Sequence, residues 1–281
     1  MHTVKTSVGL LYPGAMGAAV GAVLTAGGTP VSWASAGRGP ATRRRAEEAG
    51  LTDVSDLTAL AGCDVLLSIC PPAAALDVAR SVAGFGGVYL DANAISPRHA
   101  REVEETLGGT ATVADGGIVG PPPRSAGTTR LYLSGPAAAV ARLESLFAGT
   151  HLRPVVLDGP VGTASALKLA FASYNKLTFA LAAQSHALAE RHGVGDELRE
   201  LAADVLPDTP LGAPEGIASA GRRAWRWEGE MAEIAEACAD SGLSPALLIA
   251  AQELFGRWRE HRDDNGVALA DLLQALVTRP A

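Results

Sequence analysis

The first half of the chain alternates short apolar runs with stretches of helical period. Val4–Leu11 reads as a buried strand, and Gly14–Ala26 as a helix opened by a glycine turn. Strand patterns recur at Pro30–Ala34, Asp64–Cys70, Val88–Ala92, Thr110–Ala114 and Arg130–Ser134. Helical patterns separate them at Ala41–Ala49, Ala73–Val82, Pro97–Leu107 and Pro136–Phe147. Strands alternating with helices predict an α/β fold: a Rossmann-type, mostly parallel sheet with helices on both faces.

The pattern changes at Asp158-Gly159-Pro160, after which no strand is evident. Thr163–His192 is one long apolar helical run. Glu197–Val205, Ile217–Ala239, Pro245–His261 and Leu269–Val277 read as further helices, separated by proline and glycine breaks. A chain of 281 residues therefore divides into an α/β domain over 1–160 and an all-helical domain over 161–281.

Composition narrows the classes. The 48% hydrophobic and 19% charged fractions belong to a globular chain, and the net charge of -7 disfavours a nucleic-acid partner. Met1 to Lys5 carry no signal-peptide pattern, and no long apolar stretch lacks charges or breakers, so a cytoplasmic protein with no membrane span is expected. Cys63, Cys70 and Cys238 match no disulfide or ligand spacing, and the histidines are scattered; no metal is expected. Only Lys5, Lys168 and Lys176 are lysines, among 23 lysines and arginines. A lysine kept in such a chain is a candidate for proton transfer, which a guanidinium cannot perform near neutral pH.

Between the first strand and the first helix lies Leu11-Tyr12-Pro13-Gly14-Ala15-Met16-Gly17. A glycine turn opening a helix is an anion site, because unpaired amides and the positive dipole end face the ligand. Gly14 permits close approach of a pyrophosphate, while Tyr12 stands where a dinucleotide fingerprint has its first glycine. The second strand ends without the acidic residue that holds a ribose 2′-hydroxyl; Ser35, Arg38 and Arg43-Arg44-Arg45 follow instead. A hydroxyl and guanidinium groups suit a 2′-phosphate, so NADP(H) rather than NAD(H) is the expected cofactor.

These residues and three later stretches resemble the 6-phosphogluconate dehydrogenase-like, or β-hydroxyacid dehydrogenase, superfamily, in a bacterial branch with the loop form L-x-P-G-x-M-G. The resemblance covers the whole chain. It implies a cofactor loop at Cys70-Pro71-Pro72 and a polar residue beside the nicotinamide at Asn93, within Asp91–Pro97. It implies a substrate-binding segment at Asp115-Gly116-Gly117-Ile118-Val119-Gly120, where Val119 replaces the usual serine and makes the site more apolar. It aligns Lys168, in Gly162-Thr163-Ala164-Ser165-Ala166-Leu167-Lys168, with a catalytic lysine; Ala164 replaces the motif's second glycine. The asparagine usual four residues later is Ala172, and Asn175 lies about 10 Å along the helix axis from Lys168, too far to replace it directly.

Lys168 is expected to act as general acid/base, in apolar surroundings that tune its ammonium for the task. Ser165 is placed to orient it, and Asn175 and Lys176 are further substrate-binding candidates; Lys176 either binds substrate charge or reaches solvent. Arg222-Arg223-Ala224-Trp225-Arg226-Trp227 reads as an anion-binding arm or as an amphipathic helix surface. The run Leu167–Leu188 is apolar nearly all round, which predicts a homodimer built on that helix. Three functions follow: a reductase or dehydrogenase of a small hydroxy/keto compound, an imine reductase of the same architecture, or a non-catalytic NADP-binding sensor.

Overall fold

The structure, a computed structural model, describes residues 6–277; Met1 to Lys5, including the start of the first predicted strand, lie outside the described residues. The chain forms two compact units, the first ending at Lys168 and the second beginning at Leu169.

In the first unit one sheet holds eight strands: β1 (Val8–Leu10), β2 (Val31–Trp33), β3 (Thr52–Asp53), β4 (Val65–Ser68), β5 (Val88–Asp91), β6 (Thr112–Val119), β7 (Thr129–Ser134) and β8 (Leu152–Val156). Their order is β3-β2-β1-β4-β5-β6-β7-β8. Every pairing is parallel except β6 with β7. The intervening helices are α1 (Ala15–Ala26), α2 (Pro40–Glu48), α3 (Ala75–Arg80), α4 (Pro97–Leu107) and α5 (Ala137–Phe147).

Strand residues alternate between two cores, as a pleated ribbon requires. Val65, Leu67, Val88 and Leu90 join the core that includes α1 and α5, while Leu66 and Tyr89 join the core that includes α3 and α4. Apolar residues on both faces are the reason these strands read as continuous hydrophobic runs. The order reverses between β1 and β4, so the crevice at their carboxyl ends is a topological switch point, where α/β sheets bind ligands.

Helix α6 (Thr163–His192) has the span its pattern predicts. The boundary between units falls inside it, beyond the Asp158–Pro160 turn, because its first turns pack on β6. The second unit continues with α7 (Gly195–Val205), α8 (Glu215–Gly221), α9 (Ala224–Asp240), α10 (Ala246–Gly256) and α11 (Leu269–Val277). The single helix expected over Ile217–Ala239 is broken at Arg222-Arg223, where Gly221 packs against the side chain of Leu272.

The helical core is centred on a chain of aromatic rings. Trp227 lies 5.8 Å from Phe179 and 5.2 Å from Phe255, and Trp258 lies 5.8 Å from Phe255. The Trp258 indole donates to the Leu272 carbonyl at 3.0 Å. The Arg222–Trp227 run is therefore divided: Trp227 packs inward, while Trp225 and Arg226 both contact Asp263. None of the described helices is long and apolar enough to cross a membrane.

Candidate active site

Four loops leave the carboxyl ends of β1, β2, β4 and β5, and they carry the expected cofactor residues. Helix α1 begins at Gly14 with no side-chain cap and no acidic residue in its first turn. The amides of Ala15, Met16 and Gly17 thus have no acceptor within the helix, which is the arrangement an anion needs. Gly17 is required for packing, since a Cβ there would strike the Tyr12 carbonyl oxygen. Tyr12 is half-buried, Pro13 buried.

Arginines converge on this loop. The Arg38 guanidinium lies 5.0 Å from the centre of the Tyr12 ring and donates to the Leu11 carbonyl at 3.2 Å. Arg43 donates to the carbonyl of Ser35 at 2.9 Å, and Arg45 to that of Pro13 at 3.4 Å. Only Arg44 of the triplet is a plain surface residue, paired with Glu48. The uncapped helix end and these cations fit a phosphate-rich dinucleotide. One acid does reach the region: Asp53 on β3 accepts the Ser35 hydroxyl, and with the Ser55 amide and the Arg43 charge this holds its carboxyl below the usual range.

Beside this loop lies a buried polar network that the strand pattern alone does not reveal. Asn93 donates from Nδ2 to Ser68 at 3.0 Å and to Asp91 at 2.8 Å; its Oδ1 accepts the Cys70 amide at 2.5 Å. Its backbone amide donates to Asp91 at 3.1 Å. Both amide protons are committed, leaving one Oδ1 lone pair for a ligand. Burial pushes the Asp91 carboxyl up to about 7; the nearby Asp115 adds to the rise, and the Asn93 bonds and the Lys168 charge oppose it. Burial likewise pushes the Cys70 thiol up to about 12, so this sulfur stays protonated. Pro71 is exposed and Pro72 half-buried at the head of the following turn.

The segment expected to bind substrate is the second half of β6 and the residue after it. Asp115 pairs laterally with Asp91. Gly117 and Ile118 are buried, Val119 is half-buried and Gly120 is exposed. A Cβ on Gly117 would lie 2.8 Å from the Ala164 carbonyl and 3.1 Å from the Lys168 Cβ. Gly117 thus serves close packing of α6 on the strand, which explains how Ala164 is accommodated on the helix. Lys168 is half-buried above the carboxyl ends of β5 and β6. Its surroundings are less apolar than the sequence suggests, because Asp91 is close enough to feel its charge.

Ser165 is buried, and its hydroxyl donates to Asp115 at 2.6 Å, a partner different from the Lys168 ammonium that sequence spacing suggests. Lys176 does not reach solvent. It is 8% exposed, bonded to Glu230, with its ammonium 5.7 Å from the Trp227 ring. Asn175 is exposed and lines a groove of about 690 Å³ in the helical unit with Tyr174 and Thr178.

A family described only as a domain of unknown function (DUF1932) matches residues 189–258. No curated protein matches the chain in sequence. Among solved structures, a conserved protein of unknown function with structural similarity to 3-hydroxyacid dehydrogenases is 25% identical, at a TM-score of 0.68, over 91% of this chain and 98% of that one. The 3-hydroxyisobutyrate dehydrogenase of Mycobacterium tuberculosis aligns over 98% of this chain and all 100% of its own, with a TM-score of 0.75 and 17% identity. A reductive aminase from Aspergillus terreus, in complex with NADPH and ethyl levulinate, aligns over 97% of this chain and 100% of its own, with a TM-score of 0.61 and 20% identity.

Proposed function

We propose that this chain, whose fold is that of the β-hydroxyacid dehydrogenase superfamily, is an NADP-dependent oxidoreductase acting on a small hydroxy or keto compound, with Lys168 as general acid/base. The observation that carries this reading is a coincidence at one end of the parallel strands. The uncapped start of α1, ringed by Arg38, Arg43 and Arg45, shares that end with Lys168, which stands over Asp91 and Gly117.

Bound NADPH would supply the hydride. Gly14, Ala15 and Met16 would hold its pyrophosphate by backbone amides, and Arg38 its 2′-phosphate. In reduction the Lys168 ammonium gives its proton to the developing alkoxide; in oxidation the neutral amine takes the hydroxyl proton. Val119 gives the substrate side of β6 an apolar surface, which also suits an imine. A proton donor at Lys168 favours the carbonyl couple. A panel of keto acids, ketones and cyclic imines, followed by NADPH absorbance, separates the two. Lys168→Ala should lower turnover of any active substrate by about 100-fold or more while leaving NADPH affinity unchanged. Full turnover in that variant refutes the assignment.

We also propose that the protein is a cytoplasmic homodimer joined through α6. Phe171, Tyr174, Thr178, Leu181, Ser185 and Leu188 recur at three- and four-residue spacing, and Tyr174 and Leu181 are 75% and 61% exposed. This stripe carries no charge over five turns, and an identical copy across a two-fold axis meets it with the same surface. Leu181→Glu should convert a two-chain species into one chain in analytical ultracentrifugation; a wild-type protein sedimenting as one chain overturns the proposal.

A further inference from the structure

Helix α6 begins at Thr163, and the residue before it, Gly162, has no side chain with which to cap its first turn. The holding group comes from the sheet. Asp115, in the middle of β6, is fully buried. One carboxylate oxygen accepts the amides of Gly162 and Ser165, each at 2.9 Å, and the Ser134 hydroxyl at 3.2 Å. The other accepts the Ser165 hydroxyl at 2.6 Å. Ser134 in turn accepts the Ala164 amide at 3.0 Å. First-turn amides of α6 thus end on one buried carboxyl and its hydroxyl partner. Four donors face the carboxyl and favour its ionised form, while burial, the largest effect, leaves its pKa raised above the ordinary value.

We propose that Asp115 is a positioning residue: by capping α6 from the strand beneath, it fixes the place and electrostatic setting of the Lys168 amine. The inference rests on the catalytic reading of Lys168. Ser165, bonded twice to Asp115, lies three residues before Lys168, so its fixing sets the turn that bears the lysine. Gly117, two residues beyond Asp115 on β6, meets the Lys168 Cβ directly. Strand and helix are thus locked at both ends of that turn. Ionisable groups among the described residues at this junction include Asp91 on β5 and Arg101 on α4, whose guanidinium reaches the Gly162 corner. Cys70 and Tyr89 stand beside Asp91, and burial keeps both protonated.

The experiment is competitive trace labelling of lysines with acetic anhydride across pH, read by mass spectrometry, with no substrate needed. Lys176, paired with Glu230, serves as internal reference. In Asp115→Asn the loss of a buried negative charge should make Lys168 label at lower pH, with a rate about threefold or more above wild type near pH 8, while Lys176 is unchanged. If that variant fails to fold, Ser165→Ala decides: it removes one bond to the carboxylate and should move Lys168 in the same direction by a smaller amount. An unchanged Lys168 profile in a folded variant overturns the proposal, as does an equal change at Lys176, which would report general loosening. NADPH titration of the same samples keeps the readings apart. Absent NADPH binding in wild type sinks the oxidoreductase reading, while the labelling still decides the role of Asp115.

Discussion

Gly117 and Lys168 sit face to face, so close that a Cβ on the glycine would lie 3.1 Å from that of the lysine. The helix that carries the proposed acid/base therefore rests on a strand stripped of its side chain at the point of contact. Gly117→Ala should force α6 away from β6. Overpacking of this kind costs about 1–3 kcal/mol, and the displaced amine should lower turnover more than cofactor affinity. Thermal melting and NADPH titration check both parts. A variant as stable and active as wild type refutes the packing argument.

Arg38 stacks on Tyr12 and is tied to the Leu11 carbonyl, so its guanidinium is held at the mouth of the anion loop. If it meets a 2′-phosphate, its loss should hurt only the phosphorylated cofactor. Arg38→Ala should weaken NADPH by about 10- to 100-fold, the worth of a charged hydrogen bond, and NADH by less than about threefold. Fluorescence titration with both cofactors measures this. Equal weakening of the two would assign Arg38 to the shape of the loop instead.

Much of this site was legible because its parts are local. The anion loop is one continuous segment, and Thr163–His192 appears as a helix because nothing breaks its period. What escaped depends on distant residues. Asp115 meets Gly162 and Ser165 across 47 and 50 positions; the sequence places it at the head of a substrate-binding segment and gives no sign that it holds the start of α6. Asp53 reaches Ser35 from a two-residue strand too short to show a pattern. Strand β8 contains Pro154, which reads as a breaker but is tolerated at a sheet edge. Helical spacing directs the Ser165 hydroxyl towards Lys168, whereas tertiary contact turns it to Asp115.

Asp91 should leave a signature in stability against pH. Its folded pKa, about 7, lies above the ordinary value of 3.8, because burial disfavours the charge. Between these values the folded chain holds a proton that the unfolded chain has released. Stability from this group is therefore full below about pH 4 and lost as pH rises to about 7, by on the order of a few kcal/mol. Urea unfolding of wild type and Asp91→Asn at pH 5 and pH 8 isolates the effect from other titrations. Wild type should lose more stability than the variant between the two; identical losses would mean Asp91 is ionised throughout.

Lys176 offers the sharpest separation of structural from catalytic lysines. Its ammonium is buried against Glu230 and near the Trp227 ring, inside the helical unit. Breaking a buried pair leaves one charge stranded, so Lys176→Ala should destabilise the protein by about 3 kcal/mol. Replacing both partners with apolar residues of similar length, Lys176→Met with Glu230→Leu, should recover most of that loss, because no lone charge remains. NADPH affinity and turnover should be near wild type in the double variant. If the double variant is stable yet inactive, Lys176 takes part in the reaction or in substrate binding, and the ion pair is not its whole role.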